Sequence, residues 1–337
     1  MPSGNILRFA AQEVHKERTG THARVAVSVN WISLAYSTFN IDRDEDRVRL
    51  INSAFGQLDP KANEMDLERW PKTHWKHALD LFCFGLWDYV VQGDMGCLLQ
   101  GTDQPAATLL LDNYIVDGGG TILFAPAGSG KSYTGLAMAV SLNHGIDRIW
   151  KLRDTRNVIF INLERSQQSL AARLGAVNRA LGLPTETPLP FINARGRSLT
   201  DVYEATARTM AQFGCDTPFL DSISRTGVGD LNANQVVNQI IDLLNRLGKT
   251  WFALGHTPRQ DATHVFGGMH FDAGADIMVR LTSQTAASGK STGMSLRVEK
   301  ANDTPTGAMS VHAFDWDDQG LAGIRCSSIA EYPDLSF

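Results

Sequence analysis

The chain has 337 residues, 43% hydrophobic and 20% charged, with a formal net charge of −5. That is room for one large α/β domain beside a smaller unit, with no apolar run long enough to cross a bilayer and no global basic field. Cys83, Cys97, Cys215 and Cys326 form no C-x-x-C pair and Met1–Asn5 has no signal-peptide plan, so free thiols in a cytoplasmic protein are expected.

In chain order, the first twenty or so residues are polar and without period, which reads as an arm. Val25–Ala35 alternates and is rich in β-formers, as a strand or hairpin does. Asp42-Arg43-Asp44-Glu45-Asp46-Arg47 starts a helix, with its acids in the first turn, and Pro60 ends the helical spacing. A second helix covers Trp75–Val91, its aromatics read as core. Gly101–Pro105 is a turn-rich junction, so residues 1–105 are expected to form a small, mainly helical accessory region. Beyond it, strand-like runs at 121–124, 157–163, 218–220, 250–254 and 277–281 alternate with helical segments. That alternation predicts an α/β domain over 106–325 with a mostly parallel sheet and helices on both faces. Two further runs flank Asp303–Gly307 as a hairpin, and 326–337 reads as a tail.

Ala125-Pro126-Ala127-Gly128-Ser129-Gly130-Lys131-Ser132 follows the first of these strands and opens a helix. It is a phosphate-binding loop in which Ala125 replaces the usual first glycine. Gly128 and Gly130 let successive N–H groups turn inward on an anion, and the helix N-terminus adds its dipole. Lys131 is expected to reach the β- and γ-phosphates, and Ser132 to ligate Mg²⁺. The loop predicts nucleoside triphosphate binding through Ala127, Gly128, Ser129, Gly130, Lys131, Ser132 and Tyr133.

Two acids at strand ends refine this. Glu164 closes the run Val158–Leu163, where a carboxylate can orient an attacking water. Asp221 closes Phe219-Leu220 and is the candidate second metal group with Ser132. His256 ends Trp251–Gly255, and two readings stand: a sensor of the γ-phosphate, or a satisfied structural residue.

The order of phosphate loop, strand-Glu-helix, strand-Asp and strand-His resembles the RecA-like ATPases, within them the DnaB/RepA-type hexameric helicases and the AAA_25 family. Asn162-Leu163-Glu164-Arg165-Ser166 through Arg173-Leu174, Asp221–Arg225, Gly255–Arg259 and Val298–Gly307 resemble successive family segments, over about residues 106–316. The resemblance implies a RecA-like fold and Mg²⁺-dependent ATP hydrolysis in a ring of identical subunits, hexameric in the helicases. It also implies Lys300 as a cation reaching a neighbour's nucleotide; Asn302 stands where DnaB-type members usually carry Arg. The loops after Asp221 and His256 would face single-stranded DNA, with Arg225, Arg259, His264, Phe266 and Lys290 as candidate contacts; mobile surface loops are the other reading. Residues 1–105 would serve a replication partner. A helicase or replication ATPase is therefore expected, against a regulatory or assembly ATPase that does not move on DNA.

Overall fold

The computed structural model describes residues 6–30, 32–58, 71–93, 98, 100–103, 105, 107–227, 229–258, 261, 263–267, 270–307 and 309–335. The chain divides between Thr102 and Asp103 into two units.

In the N-terminal unit, β1 (Leu7–Glu17), β2 (Gly20–Val29) and β3 (Ile32–Asn40) form an antiparallel sheet in that order. Ala23, Val25 and Val27 alternate inward from the central strand and are fully buried. They pack with Leu50, Ile51 and Ala54 of α1 (Asp44–Gly56) and Trp75, Leu79 and Cys83 of α2 (Lys72–Gly93). Asp44, Glu45 and Asp46 occupy the first turn of α1, as its sequence predicts. Burial raises the Cys83 thiol to about 11, so it stays protonated and inert. The expected arm is instead mostly β1. This edge strand is ladder-bonded on one side and at least partly exposed along its length, so no alternation betrays it in sequence.

The larger unit opens on the antiparallel pair β4 (Leu109–Leu111) and β5 (Ile115–Val116) and is built on a nine-stranded sheet. Its parallel part comprises β6 (Gly120–Ala125), β7 (Val158–Asn162), β8 (Phe191–Asn193), β9 (Thr217–Asp221), β10 (Trp251–His256) and β11 (Ile277–Thr285). The antiparallel strands β12 (Ser291–Ala301), β13 (Met309–Asp317) and β14 (Gly320–Ser327) extend it, giving the order β14-β13-β12-β11-β6-β10-β9-β7-β8. The runs expected at 121–124, 157–163, 218–220, 250–254 and 277–281 fall in β6, β7, β9, β10 and β11. β6, β7 and β9 are buried along their whole length because helices cover both faces. Leu123 and Ala125 face a core shared with α3 (Lys131–His144) and α4 (Gln167–Ala180). Ile122 and Phe124 face the opposite core, with α5 (Leu199–Phe213) and α6 (Asn234–Leu247). A short helix α7 (His270–Gly274) precedes β11.

The segment from 326 is not a tail. Cys326 and Ser327 pair with His312 and Val311, and Tyr332 and Leu335 are buried against Val311 and Ala313. Neighbouring His312 is also buried, with Nε2 2.6 Å from Ser310 Oγ, and burial presses its pKa down to about 4. A histidine held neutral when folded takes its proton first in the unfolded chain, so stability falls as pH drops from 6.5 toward 4. The loss is at most about 3 kcal/mol. Melting temperature measured across that window should show this slope, and His312→Gln should flatten it.

Among the described residues no helix is long and apolar enough to cross a membrane.

Candidate nucleotide-binding and catalytic site

The ladder brings the candidate residues together. His256 pairs with Ala125, Leu254 with Asp221, and Asn162 with Asp221, so the ends of β6, β10, β9 and β7 share one sheet edge. In an open parallel sheet the carboxyl edge is where ligands bind. From β6 the chain turns through Pro126–Ser129 with Gly128 at φ 81° and Gly130 at φ 93°, both left-handed. A Cβ on Gly130 would meet only the flexible end of Met294, so it is the left-handed φ that requires glycine there. Helix α3 begins at Lys131 and directs its free N–H groups into a cleft of ≈ 260 Å³.

Lys131 is buried, and its Nζ donates to the carbonyls of Ala125 at 3.0 Å and Pro126 at 2.8 Å. Burial lowers its pKa to about 8, against the opposing charges of Glu164 and Asp221. The Nζ also lies 3.3 Å from His256 Nδ1. An ammonium only donates, so Nδ1 accepts and the imidazole proton sits on Nε2, which donates to Glu164 Oε1 at 3.2 Å.

Glu164 accepts a second hydrogen bond from Ser222 Oγ. The His256 bond, then the Ser222 bond, holds its carboxyl down to about 2, against the opposing effect of its partial burial. Asp221 behaves oppositely. At 3% exposure its pKa rises to about 6 through desolvation, then through the charge on Glu164, while a bond from Ser132 pulls it back. Leu163 N donates to Asp221 O at 2.7 Å, which locks the two acidic strand ends side by side. The Asp221–Ser222 peptide is cis.

A hard divalent cation suits this donor set. Ser132 hydroxyl and the Asp221 carboxylate meet at the cleft floor, and octahedral Mg²⁺ needs only one or two protein oxygens beside phosphate and water. Among the described residues there is no group of three or more His, Cys, Asp or Glu that would make a dedicated protein cage.

Two residues at the site, Asn162 and Trp316, carry no strong sequence signal. Buried Asn162 shapes the Glu164 turn, accepting from Arg165 N at 3.0 Å and donating to Arg165 O at 2.8 Å. The Arg173 guanidinium lies 4.5 Å over the Tyr133 ring, and Tyr133 meets Trp316 edge-on at 5.0 Å. These three side chains line the cleft with Thr285, Thr292 and Met294, forming an aromatic and cationic wall. Arg173 lies within the α4 segment that resembles the family; Trp316 comes from β13, and only the fold brings it here.

A second, open groove of ≈ 650 Å³ shares the Glu164 wall and carries Arg195, Arg197 and Arg225. Ser222 has spent its proton on Glu164, so Ser224 on the groove wall donates to Ser222 Oγ at 2.9 Å. Phe266 N donates to His256 O at 2.6 Å, tying the following loop to β10. Phe266 is 42% exposed, and His264 pairs with Asp261 at 3.3 Å. Arg259 lies outside the described residues. Lys290 sits in the β11–β12 turn, apart from these two loops.

Lys300 does not line the cleft of its own chain. Its Nζ donates to the carbonyls of Asp272 and Ala275 at the end of α7, and Asn302 donates to Asp276 at 3.0 Å.

Strand order, phosphate loop and paired strand-end acids together define a RecA-like P-loop ATPase. Residues 98–262 match the family model AAA_25, described as an AAA domain. Among solved structures, a KaiC-like protein from the hyperthermophilic archaeon Pyrococcus horikoshii OT3 is similar at 14% identity, over 66% of this chain and 96% of its own, with a TM-score of 0.47. No curated protein matches.

Proposed function

We propose that this protein is a Mg²⁺-dependent ATP hydrolase whose turnover is coupled to single-stranded DNA. The observation that carries the reading is one hydrogen-bonded chain: Lys131, His256, Glu164, Ser222 and Ser224 run from the phosphate loop to the arginine groove. Lys131 leaves its carbonyl partners for the phosphates when a triphosphate enters. Ser132 and Asp221 would hold a Mg²⁺ ion, which would supply neutralising charge to the phosphates. Ionised Glu164 orients and deprotonates the attacking water. His256 reports the phosphate state along its backbone bond to Phe266. Arg225, joined by Arg195 and Arg197, attracts phosphodiesters, and Phe266 offers a face for a base.

In this reading Lys300 acts in trans within a ring, since it is held away from its own cleft by α7. Replication, strand separation and a hexamer are the corresponding biological setting. The runner-up, a regulatory or assembly ATPase, is favoured by the pairing of His264 with Asp261 and by the −5 net charge. Steady-state ATPase with and without single-stranded DNA, at low and moderate salt, separates the two. Strong salt-sensitive stimulation supports the motor, and turnover indifferent to DNA rejects it.

The aromatic wall makes a separate prediction. Trp316→Ala should raise KM for ATP about ten-fold with little change in kcat, because base contacts bind ground and transition states alike. An unchanged KM would remove Trp316 from the nucleotide site.

A further inference from the structure

We propose that the outer face of α2 is an interface for a second copy of this chain, the two helices pairing antiparallel about a two-fold axis between Leu81 and Phe84. Trp75, Leu79 and Cys83 turn one side of α2 into the core of the N-terminal unit. His77, Leu81, Phe84 and Asp88 lie on the side turned away from that core, and all four are exposed. The two apolar members are the central ones, Leu81 at 59% and Phe84 at 61% exposure.

The spacing is that of a helix–helix seam. Steps of four, three and four residues keep side chains in line along a helix wound on another, with the apolar pair in the middle. Gly85, on the margin of the stripe, is a second and independent sign. Glycine destabilises a helix interior, yet a Cβ there would meet nothing within 4 Å, so no described residue of the subunit requires it. A second backbone passing close over Gly85 and Ala78, one on each of two successive turns, does require it.

Charge selects the chain's own copy. His77 stands at the N-terminal end of the stripe and Asp88 at the C-terminal end, and among the described residues neither has a hydrogen-bond or ion-pair partner. An antiparallel copy sets Leu81 against Phe84 of the second copy and His77 against its Asp88, and the two-fold axis repeats each contact at the other end. There the imidazole N–H donates to the carboxylate. A parallel copy would set Asp88 against Asp88 instead, with like charges opposed. The stripe is therefore complementary to itself. It spans only about three helical turns, at the small end of specific interfaces, so dissociation on the order of 10 µM is expected.

The interface lies in the N-terminal unit and does not rest on the ATPase reading, so its test needs no nucleotide. Full-length His77→Cys protein is mixed with full-length Asp88→Cys protein at about 50 µM, above the expected dissociation constant, and oxidised. Disulfides are then mapped by peptide mass. The mixture should yield the 77–88 cross-link between chains, and neither protein alone should give an efficient 77–77 or 88–88 cross-link. Both substitutions are on the surface, so melting temperatures should match wild type. Adding Phe84→Glu to both proteins should cut the 77–88 yield at least about ten-fold, the loss expected when a charge replaces one buried aromatic, whereas Phe84→Leu should preserve it. The proposal fails if 77–77 and 88–88 cross-links form as readily as 77–88, which is the parallel pattern. It fails if folded proteins give no 77–88 cross-link, or if Phe84→Glu leaves the yield unchanged. A cross-link from 77 or 88 to Cys215 or Cys326 within one chain would assign the face to the larger unit and also overturn it. Loss or retention of ATP turnover bears only on the nucleotide site.

Discussion

Glu164→Gln should lose about a thousand-fold in turnover while keeping its affinity for ATP. Hydrogen bonds from His256 and Ser222 hold its pKa at about 2, so the carboxylate is ionised throughout the physiological range and can accept a hydrogen bond from the attacking water. Glutamine retains the shape and an oxygen that accepts from Ser222, but it cannot take a proton from water. General-base loss of this kind is worth about 10²- to 10⁴-fold. The phosphate and metal groups, Lys131, Ser132 and Asp221, are untouched, so binding should persist. Single-turnover hydrolysis together with equilibrium titration of a fluorescent ATP analogue checks both halves. Normal hydrolysis by Glu164→Gln would remove Glu164 from the mechanism.

Lys131→Ala should act on binding itself, weakening ATP by about 10- to 150-fold, the range expected for losing charge-assisted hydrogen bonds to phosphate. The Nζ now satisfies two loop carbonyls, so a melting curve of the variant is needed to separate lost affinity from a disturbed loop. Affinity should also carry a pH signature. Burial places the free-state pKa at about 8, and the triphosphate binds the protonated amine. Above pH 8 binding must first draw in a proton, so ATP affinity should fall as pH rises through that value, and below it the dependence should level off. The variant should lose this dependence; calorimetry over a pH series reads it directly. Unchanged affinity in Lys131→Ala would reject the phosphate-loop assignment.

The reading of Lys300 depends on assembly. Its amine is engaged at the end of α7, and an own-chain role would require it to leave two carbonyls for a cleft it does not line. Mixing Lys300→Ala subunits with Glu164→Gln subunits distinguishes the cases. In a trans arrangement an intact active site forms only where a Glu164-bearing subunit adjoins a Lys300-bearing one, so the mixture should regain part of the turnover that each variant lacks alone.

What local chemistry settled is the phosphate end of the site. The glycines of 128 and 130 are needed for the left-handed turns, Lys131 and Ser132 follow as the helix opens, an acid or histidine ends each of β9 and β10, and Glu164 follows β7 by two residues. These strands are buried on both faces, so they read as continuous apolar runs whose polar terminus stands out. Packing settled the rest. Strand order places β9 and β10 between β6 and β7, which is why His256 lies between Lys131 and Glu164, a relation invisible in residues 92 apart along the chain. The wall of Arg173, Tyr133 and Trp316 draws on α4, α3 and β13, and the arginine groove on segments that precede α5 and follow β9. The N-terminal sheet was half legible: β2 alternates because one face is buried, whereas β1, an edge strand exposed to varying degree throughout, has no burial contrast to record in its sequence. Motifs survive in sequence where covalent neighbours do the chemistry; surfaces assembled across strands exist only once the backbone ladder has brought distant side chains to one face.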